Sequence, residues 1–440
     1  MTNIKFIFAA ILYKIHIYIF QYEKIYPIFS ICYYTLHDKR GDCAVLGYLT
    51  AQSSGTCVES PIGSNHWIEP DGSPCRNSIS TVVSFLRIVP DARTSGMGSV
   101  GLATSPDANA MHFNAAKLAS STKDGGLSMS YVPWLKGLGL NDIFMAYLTG
   151  YYKFSKKEAI AASIRYFSLG DFTFTDTQGN IIGYGKPNEF EIAVAYSRAL
   201  GDKLFGALTG KFISSNLATG QQLNGVDIQT ARTGAADISI FYRTPLKTNT
   251  KSNLALGVAI TNLGGRISYT KASPVRDLLP ANLGIGMAWD VDLDQYNRLT
   301  LGVDFNKLLV PSPDPALTDD NNNGVPDYRE KALIPAIFGS FSDAAGGFKE
   351  ELRECMFGIG AEYWYNDQFS IRAGYQYESP LKGNQKYFTL GLGLKYTTFG
   401  LNLSYLVPSG NTRTALDNTL RFTLMFDFGT FEVDDDPNIK

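Results

Sequence analysis

Residues 418–428 read N-T-L-R-F-T-L-M-F-D-F. Leu420, Phe422, Leu424, Phe426 and Phe428 share one face, while Thr419, Arg421, Thr423 and Asp427 share the other. Side chains alternate along a strand, so this is a strand with one apolar and one polar side. The same pattern recurs at 127–134, 142–153, 158–172, 188–199, 203–216, 233–244, 252–263, 281–292, 297–309, 353–365, 368–378, 386–397 and 399–407, which makes fourteen segments in all. A chain written this way folds into sheet, and each strand must hide one of its faces. A soluble sandwich and a membrane barrel both meet that demand, so the rest of the chain has to choose between them.

Length alone, at 440 residues, would allow two or three soluble domains. No linker or shift in composition divides the chain after about residue 80. Charged residues make up 18% and aromatics 13%, and from Arg76 onward no apolar run is long enough to cross a bilayer as a helix. A net charge of −2 leaves no electrostatic footprint for nucleic acid. Only helices and closed barrels satisfy every backbone group in lipid. Fourteen is an even number, as single-chain bacterial barrels require, and most segments are near the roughly 9–11 residues of a tilted spanning strand. Short connections such as Asn366-Asp367 and Gly201-Asp202 alternate with long polar ones, as periplasmic turns alternate with surface loops.

The charges supply an internal check. With the more apolar face of each strand turned outward, Arg165, Glu191, Lys211, Asp237, Arg298, Asp304, Glu362, Arg372, Lys395 and Arg421 all point inward. A charge on the lipid face costs about 2–4 kcal/mol at the bilayer midplane, whereas charges inside can pair or meet water. A sandwich would need the reverse arrangement. These features predict an all-β fold, a 14-stranded antiparallel transmembrane β-barrel over 127–428 in the bacterial outer membrane, followed by a polar tail at 429–440.

Several blocks also carry a family resemblance. Val83–Ala119 reads V-S-F-L-R-I-V-P-D-A-R-T-S-G-M-G-S-V-G-L-A-T-S-P-D-A-N-A-M-H-F-N-A-A-K-L-A. Further on stand Y-V-P-W-L at 131–135, R-Y-F-S-L-G at 165–170, N-K-L-L-V-P at 306–311, G-G-F-K-E-E-L-R-E at 346–354, A-E-Y-W-Y-N-D-Q-F-S-I-R-A-G-Y at 361–375 and D-N-T-L-R-F at 417–422. Together they resemble the PorV family of the type IX secretion system of Bacteroidetes, within the FadL-like barrel group. The resemblance spans about 80–440 and implies a fourteen-stranded barrel with a plug-like N-terminal segment, here 76–126. It also implies a non-enzymatic shuttle. Such a shuttle accepts secreted cargo through its C-terminal signal domain as it leaves a large translocon barrel. It then delivers the cargo to a surface attachment complex containing a PorU-like sortase. The longest loop, 310–352, is the first candidate for cargo contact, with the plainer alternative that it caps the barrel. Loop 171–188 is a second candidate surface.

One motif in that long loop points to chemistry. Asp319-Asp320-Asn321-Asn322-Asn323-Gly324-Val325-Pro326-Asp327-Tyr328-Arg329-Glu330 fits the template of a calcium loop. Calcium takes six to eight oxygens, which alternate positions of a tight turn can supply before a bidentate glutamate closes the shell. The expected ligands are Asp319, Asn321, Asn323, the Val325 carbonyl and Glu330, with Asp327 direct or through water. Against this, Asn, Asp and Gly are ordinary turn residues, and no flanking helices are evident.

Other features read as structural. Gly96, Gly98 and Gly101 match G-x-G-x-x-G, but no strand–turn–helix context surrounds them, and small residues there suit close packing inside a lumen. His112 is the only histidine past residue 66, which leaves little for a zinc site or a catalytic triad and predicts a satisfied buried side chain. Glu350-Glu351 beside Lys349 and Arg353 reads as a solvated mixed-charge stretch. Pro74, Pro90, Pro106 and Pro133 argue against a long helix in the entry segment.

Residues 1–75 are atypical as a leader. Met1–Phe20 has an apolar run interrupted by Lys14 and His16, and Ala44–Gln52 offers a second, short apolar core. An incorrect upstream start or a disrupted signal region is the expectation, with a genuine divergent leader as the alternative. Cys32, Cys43, Cys57 and Cys75 fall here, where an oxidising compartment would permit a disulfide, and Cys355 lies by parity on the lipid face. Three function classes follow: a secretion shuttle, a FadL-like transporter of hydrophobic small molecules, and a lipid-modifying barrel enzyme. The last would need a histidine set at the outer rim, where this chain has none.

Overall fold

The computed structural model describes residues 57–59, 67–69, 75, 77–134, 142–175, 181–223, 226–248, 250–270, 276–323, 325–409 and 419–429. All belong to one compact unit, Gly47–Lys440. The leader candidates, Cys32, Cys43, Gly324 and the 430–440 tail lie outside the described residues.

Fourteen strands run in chain order: β1 Gly125–Pro133, β2 Ile143–Ser155, β3 Glu158–Leu169, β4 Asn188–Ala199, β5 Leu204–Asn216, β6 Ala231–Pro245, β7 Ser252–Gly264, β8 Asn282–Asp292, β9 Asn297–Leu308, β10 Cys355–Tyr365, β11 Phe369–Tyr377, β12 Lys386–Tyr396, β13 Phe399–Pro408 and β14 Leu420–Phe428. Each pairs antiparallel with its neighbour in sequence, and β14 returns to β1 through the register Phe422↔Tyr131 to Phe428↔Gly125. Closure removes every free sheet edge, which is what the hydrocarbon layer demands. The alternation predicted fourteen strands, and the barrel has them, with no boundary moved by more than three residues.

Burial separates the two faces as the charges foretold. Leu390, Leu392 and Leu394 of β12 stand exposed on the outside, as do Ile160 and Ile164 of β3. Arg165, Glu191, Asp237, Asp304, Glu362, Arg372 and Arg421 are buried inside. In a soluble protein so many exposed leucines would be a liability; around a barrel they form the lipid belt.

The connections differ sharply at the two ends. At the end shared by Gly125 and Phe428, the strands join through short turns such as 156–157, 366–368 and 397–398. Asn366 and Asp367 there both adopt positive φ, the geometry of a tight hairpin whose twist matches the strands. At the opposite end lie the long connections 170–187, 217–230, 265–281 and 309–354. By the general asymmetry of such barrels, this is the cell-surface end. Two details depart from expectation. The 158–172 segment leaves the wall after Leu169, and a separate hairpin, Phe172–Thr175 with Ile181–Gly185, rises from it. The long loop, expected without helices, contains Asp327–Glu330, Leu333–Gly339 and Phe348–Arg353.

Candidate functional site

Residues 77–121 run along the inside of the barrel. They form only one- and two-turn helices, Ser84–Arg87, Ala92–Ser95, Ala110–Phe113 and Ala115–Ser120, in keeping with the prolines. Short pieces leave many backbone groups unpaired, and inward side chains of the wall satisfy them. The amides of Gly101 and Leu102 donate to the Asp304 carboxylate of β9 at 2.7 and 2.9 Å. The Ala92 amide donates to Thr423 of β14 and the Gly98 amide to Thr389 of β12, both at 2.8 Å. Ala119 and Ala116 donate to Ser197 of β4 and Ser239 of β6, each at 3.2 Å. Arg165 of β3 donates to the carbonyls of Phe85 and Leu86. These partners come from strands all around the wall, which places the segment within the lumen.

Packing is close because both surfaces are made of small residues. Ala103, Ala108, Ala110, Ala115 and Ala116 meet the inward Ala159, Ala161, Ala193, Ala195, Ala255 and Ala288 in one apolar cluster. Gly98 has φ 65°, and a Cβ on it would lie 2.6 Å from the Ile359 carbonyl oxygen. Gly101 is no less constrained, since a Cβ would sit 2.7 Å from the Phe113 ring. The G-x-G-x-x-G match is therefore a packing device, against the wall at Gly98 and within the inner segment at Gly101.

The lumen also holds a buried ionic constellation. Glu362 of β10 lies between two guanidinium groups: Arg93 donates to it at 2.7 and 2.9 Å, and Arg372 of β11 at 2.6 Å. Arg93 further donates to Asp107 at 2.9 Å, and Arg372 to Asn402 at 2.9 Å. A carboxylate with two bidentate-capable partners has its desolvation cost offset, and removal of any member leaves an uncompensated charge. His112 is half-buried, and its Nδ1 lies 2.5 Å from the Arg165 guanidinium. That guanidinium also lies 3.9 Å from the Glu191 carboxylate.

The surface mouth carries a second set of charges. Lys307 of β9 bonds Glu351 at 2.9 Å and Glu354 at 2.7 Å. Lys382 bonds Glu350 at 2.5 Å and Glu354 at 2.9 Å, and Ser312 donates to Glu354 at 2.5 Å. Asn77, where the inner segment begins, donates to the Pro313 carbonyl at 2.8 Å and to Glu350 at 3.3 Å. The expected solvated stretch at Glu350-Glu351 is thus a correction: Glu351 and Glu354 are buried and pin the long loop to the rim. Burial alone would raise the Glu350 carboxyl. Lys382 outweighs it by hydrogen bond and charge, with the Gly346 amide and Asn77 adding, and the carboxyl stays below its ordinary range. Nearby, Val58–Glu59 pairs with Trp67–Ile68, and Cys57 is bonded to Cys75.

The calcium-loop residues lie together at the exposed tip of the same loop. Asn321 and Asn323 donate their side-chain amides to the two oxygens of Glu330, each at 2.7 Å. The Asn323 and Val325 amides donate to Asp319 and Asn323 at 3.1 and 2.8 Å, and Asp327 accepts from the Asp320 amide at 3.3 Å. A cation shell would need the two asparagine oxygens turned inward in place of their amide groups. Among the described residues, no three His, Cys, Asp or Glu side chains are grouped to hold a metal. The motif differs from such a group in relying on two asparagines and a carbonyl.

The family model for the Type IX secretion system protein PorV matches residues 73–315, more than half of the chain. The chain belongs to the PorV family. The match begins close to the start of the inner segment and ends just inside the long surface loop, so it covers the inner segment and the first nine strands. PorV membership and the closed fourteen-stranded wall together identify an outer-membrane barrel protein of the type IX secretion system. No curated protein sequence matches the chain. Among solved structures it is similar to the toluene transporter TbuX of Ralstonia pickettii, with 13% identity and a TM-score of 0.47 over 77% of this chain and 98% of that one. The toluene transporter TodX of P. putida gives 10% and 0.44 over 77% and 98%. A Pseudomonas aeruginosa FadL homologue gives 11% and 0.36 over 80% and 100%. At these values the likeness carries nothing about ligand or activity.

Proposed function

We propose that this PorV-family barrel is a non-enzymatic shuttle for secreted cargo. It accepts the cargo's C-terminal signal domain at the cell surface as the cargo leaves a large translocon barrel. It then delivers the cargo to an attachment complex that includes a PorU-like sortase. Family membership is the observation that carries this reading. The architecture is consistent with it: the lumen face is lined with paired charges, while the long loop presents exposed Ile334, Phe338 and Phe341 above the rim. Apolar side chains of that size on a loop suit contact with another protein. The cargo handle in this reading is the 310–352 loop. Calcium at Asp319, Asn321, Asn323, Val325, Asp327 and Glu330 would stiffen its tip.

The competing reading is a FadL-like transporter of hydrophobic small molecules. It requires an apolar path through the barrel, and the paired charges and bonded segment described above argue against a wide one. Pull-down of the tagged protein from native outer membranes, with partners identified by mass spectrometry, separates the two. Secreted proteins sharing a C-terminal domain, recovered with a sortase-like protease or a giant barrel, support the shuttle. Recovery of the barrel alone with bound fatty acid sinks it.

A further inference from the structure

Lys307 has the parity of the lipid face but is covered. Leu299, Leu301 and Phe305 of β9 face lipid, and Lys307 follows in the same phase, paired across the sheet with Cys355. Yet Lys307 is only 9% exposed. Its ammonium is covered by Glu351 and Glu354, and the Cys355 thiol approaches the Glu351 carbonyl at 3.9 Å. The helix Phe348–Arg353 therefore sits on the outer side of the rim, above the top of the lipid belt. Directly below it, the rings of Phe305 and Phe357 meet at 5.2 Å on the lipid face, the position of an interfacial aromatic girdle.

Successive residues of a helix are about 100° apart, which fixes what each flank faces. Glu351 points down onto Lys307. Glu350 and Glu354 form the flank turned to the mouth, where Lys382 binds both. Phe348 and Leu352, four apart, form the opposite flank, which faces away from the mouth. They are 77% and 57% exposed. Lys349 and Arg353 form the back of the helix, away from the wall, with no carboxylate partner among the described residues. An apolar stripe flanked by cations just above the girdle is the pattern of a segment lying in a membrane interface.

We propose that the Phe348–Arg353 helix is an interfacial anchor in the outer leaflet. Phe348 and Leu352 enter the upper acyl region, and Lys349 and Arg353 meet the phosphate groups of lipid headgroups. The occupant is lipid rather than protein because the stripe is continuous with the belt already in contact with lipid. The anchor holds the base of the long loop at the membrane surface.

The test places a nitroxide at Phe348→Cys, Leu352→Cys or Ser342→Cys in the full-length protein, with Cys32, Cys43 and Cys355 changed to serine. Heat-modifiable gel mobility verifies that each barrel is folded, and each is reconstituted into phosphatidylcholine bilayers with or without lipid A. The expected result is high collision with oxygen and low collision with a water-soluble nickel chelate at 348 and 352, with the opposite at exposed 342. Nickel access at 348 and 352 equal to that at 342 overturns the anchor, and so does shielding from both reagents, which would indicate a protein contact. A Lys349→Glu/Arg353→Glu variant should lose the rise in thermal midpoint that lipid A gives the parent. An undiminished rise overturns the phosphate contact. Neither arm depends on cargo, so failure here leaves the shuttle reading untouched.

Discussion

The inner segment and the long surface loop use similar residues for opposite ends. Both carry acids and bases that pair across large distances in sequence. In the lumen, Arg93 and Arg372 both bond Glu362, alanine meets alanine, and glycine allows backbone to touch backbone. At the mouth, Lys307, Lys382 and their glutamates pin the base of the loop and Arg329 pairs with Asp277 of the neighbouring loop at 2.5 Å, while Ile334, Phe338 and Phe341 stand in the open. The first region is enclosed by the wall. The second is fastened at a few points and presents apolar surface between them. The proposed shuttle would use that combination: a closed barrel that crosses the membrane and a tethered surface element to meet cargo.

The comparison can be broken most forcefully at Glu362. Glu362→Ala leaves two buried guanidinium groups facing each other, and the expected loss is about 3–5 kcal/mol. Glu330→Ala at the loop tip should cost within about 0.5 kcal/mol. Urea unfolding of the two reconstituted variants checks both, and equal losses would mean that the lumen is no more fixed than the tip.

A smaller effect is expected at Gly98. Its positive φ and the proximity of the Ile359 carbonyl make Gly98→Ala cost about 1–3 kcal/mol by strain and overpacking. Gly347 in the loop also has positive φ but nothing within 4 Å of its Cβ position. Gly347→Ala should therefore lower the thermal midpoint less than Gly98→Ala, which isolates crowding from backbone conformation.

The pinned base of the loop is sharpened by acid. The Glu350 carboxyl is held below its ordinary value of 4.5 in the folded protein. A depressed carboxylate contributes stability that is present above its unfolded value and lost as pH falls through the folded one. Limited proteolysis within 310–352 should accelerate as pH drops below 4.5. Glu350→Gln should flatten that part of the profile, and an unaltered profile would remove Lys382 and Glu350 as the fastening.

The smallest effect belongs to the tip. Calcium is expected to bind with a Kd on the order of 10⁻⁴–10⁻³ M, as extracellular modules do. It should slow cleavage near residue 320 with little change in barrel unfolding. Calorimetric titration of the parent against Asp319→Ala measures the first, and the absence of any heat difference would sink the loop as a cation site.

Much of the wall was legible in advance. Period-2 alternation gave each strand its faces, and Asn366-Asp367 announced a turn by residue type alone. The inner segment was legible only by resemblance, although a local signal existed: the inward positions of β3 and β4 begin with Ala159 and Ala161 or include Ala193 and Ala195. A row of small inward residues leaves room for something to pack against them. The mouth was misjudged at Glu350-Glu351, because acids beside bases on a short stretch look solvated whenever their distant partners are unseen. The loop helices were missed for a related reason, since one or two turns carry too little periodicity to stand out.

Sequence by itself determined which side of each strand faces lipid, how many strands there are, which end carries the loops and which family the blocks resemble. Those properties are set by neighbours one to a few residues apart. Tertiary structure decided which charges meet. Arg93 and Glu362 are 269 positions apart, and Lys307 and Glu351 are separated by the whole surface loop. Packing of the inner segment in the lumen and folding of the loop onto the rim bring these groups within bonding distance, and burial there makes their pairing obligatory.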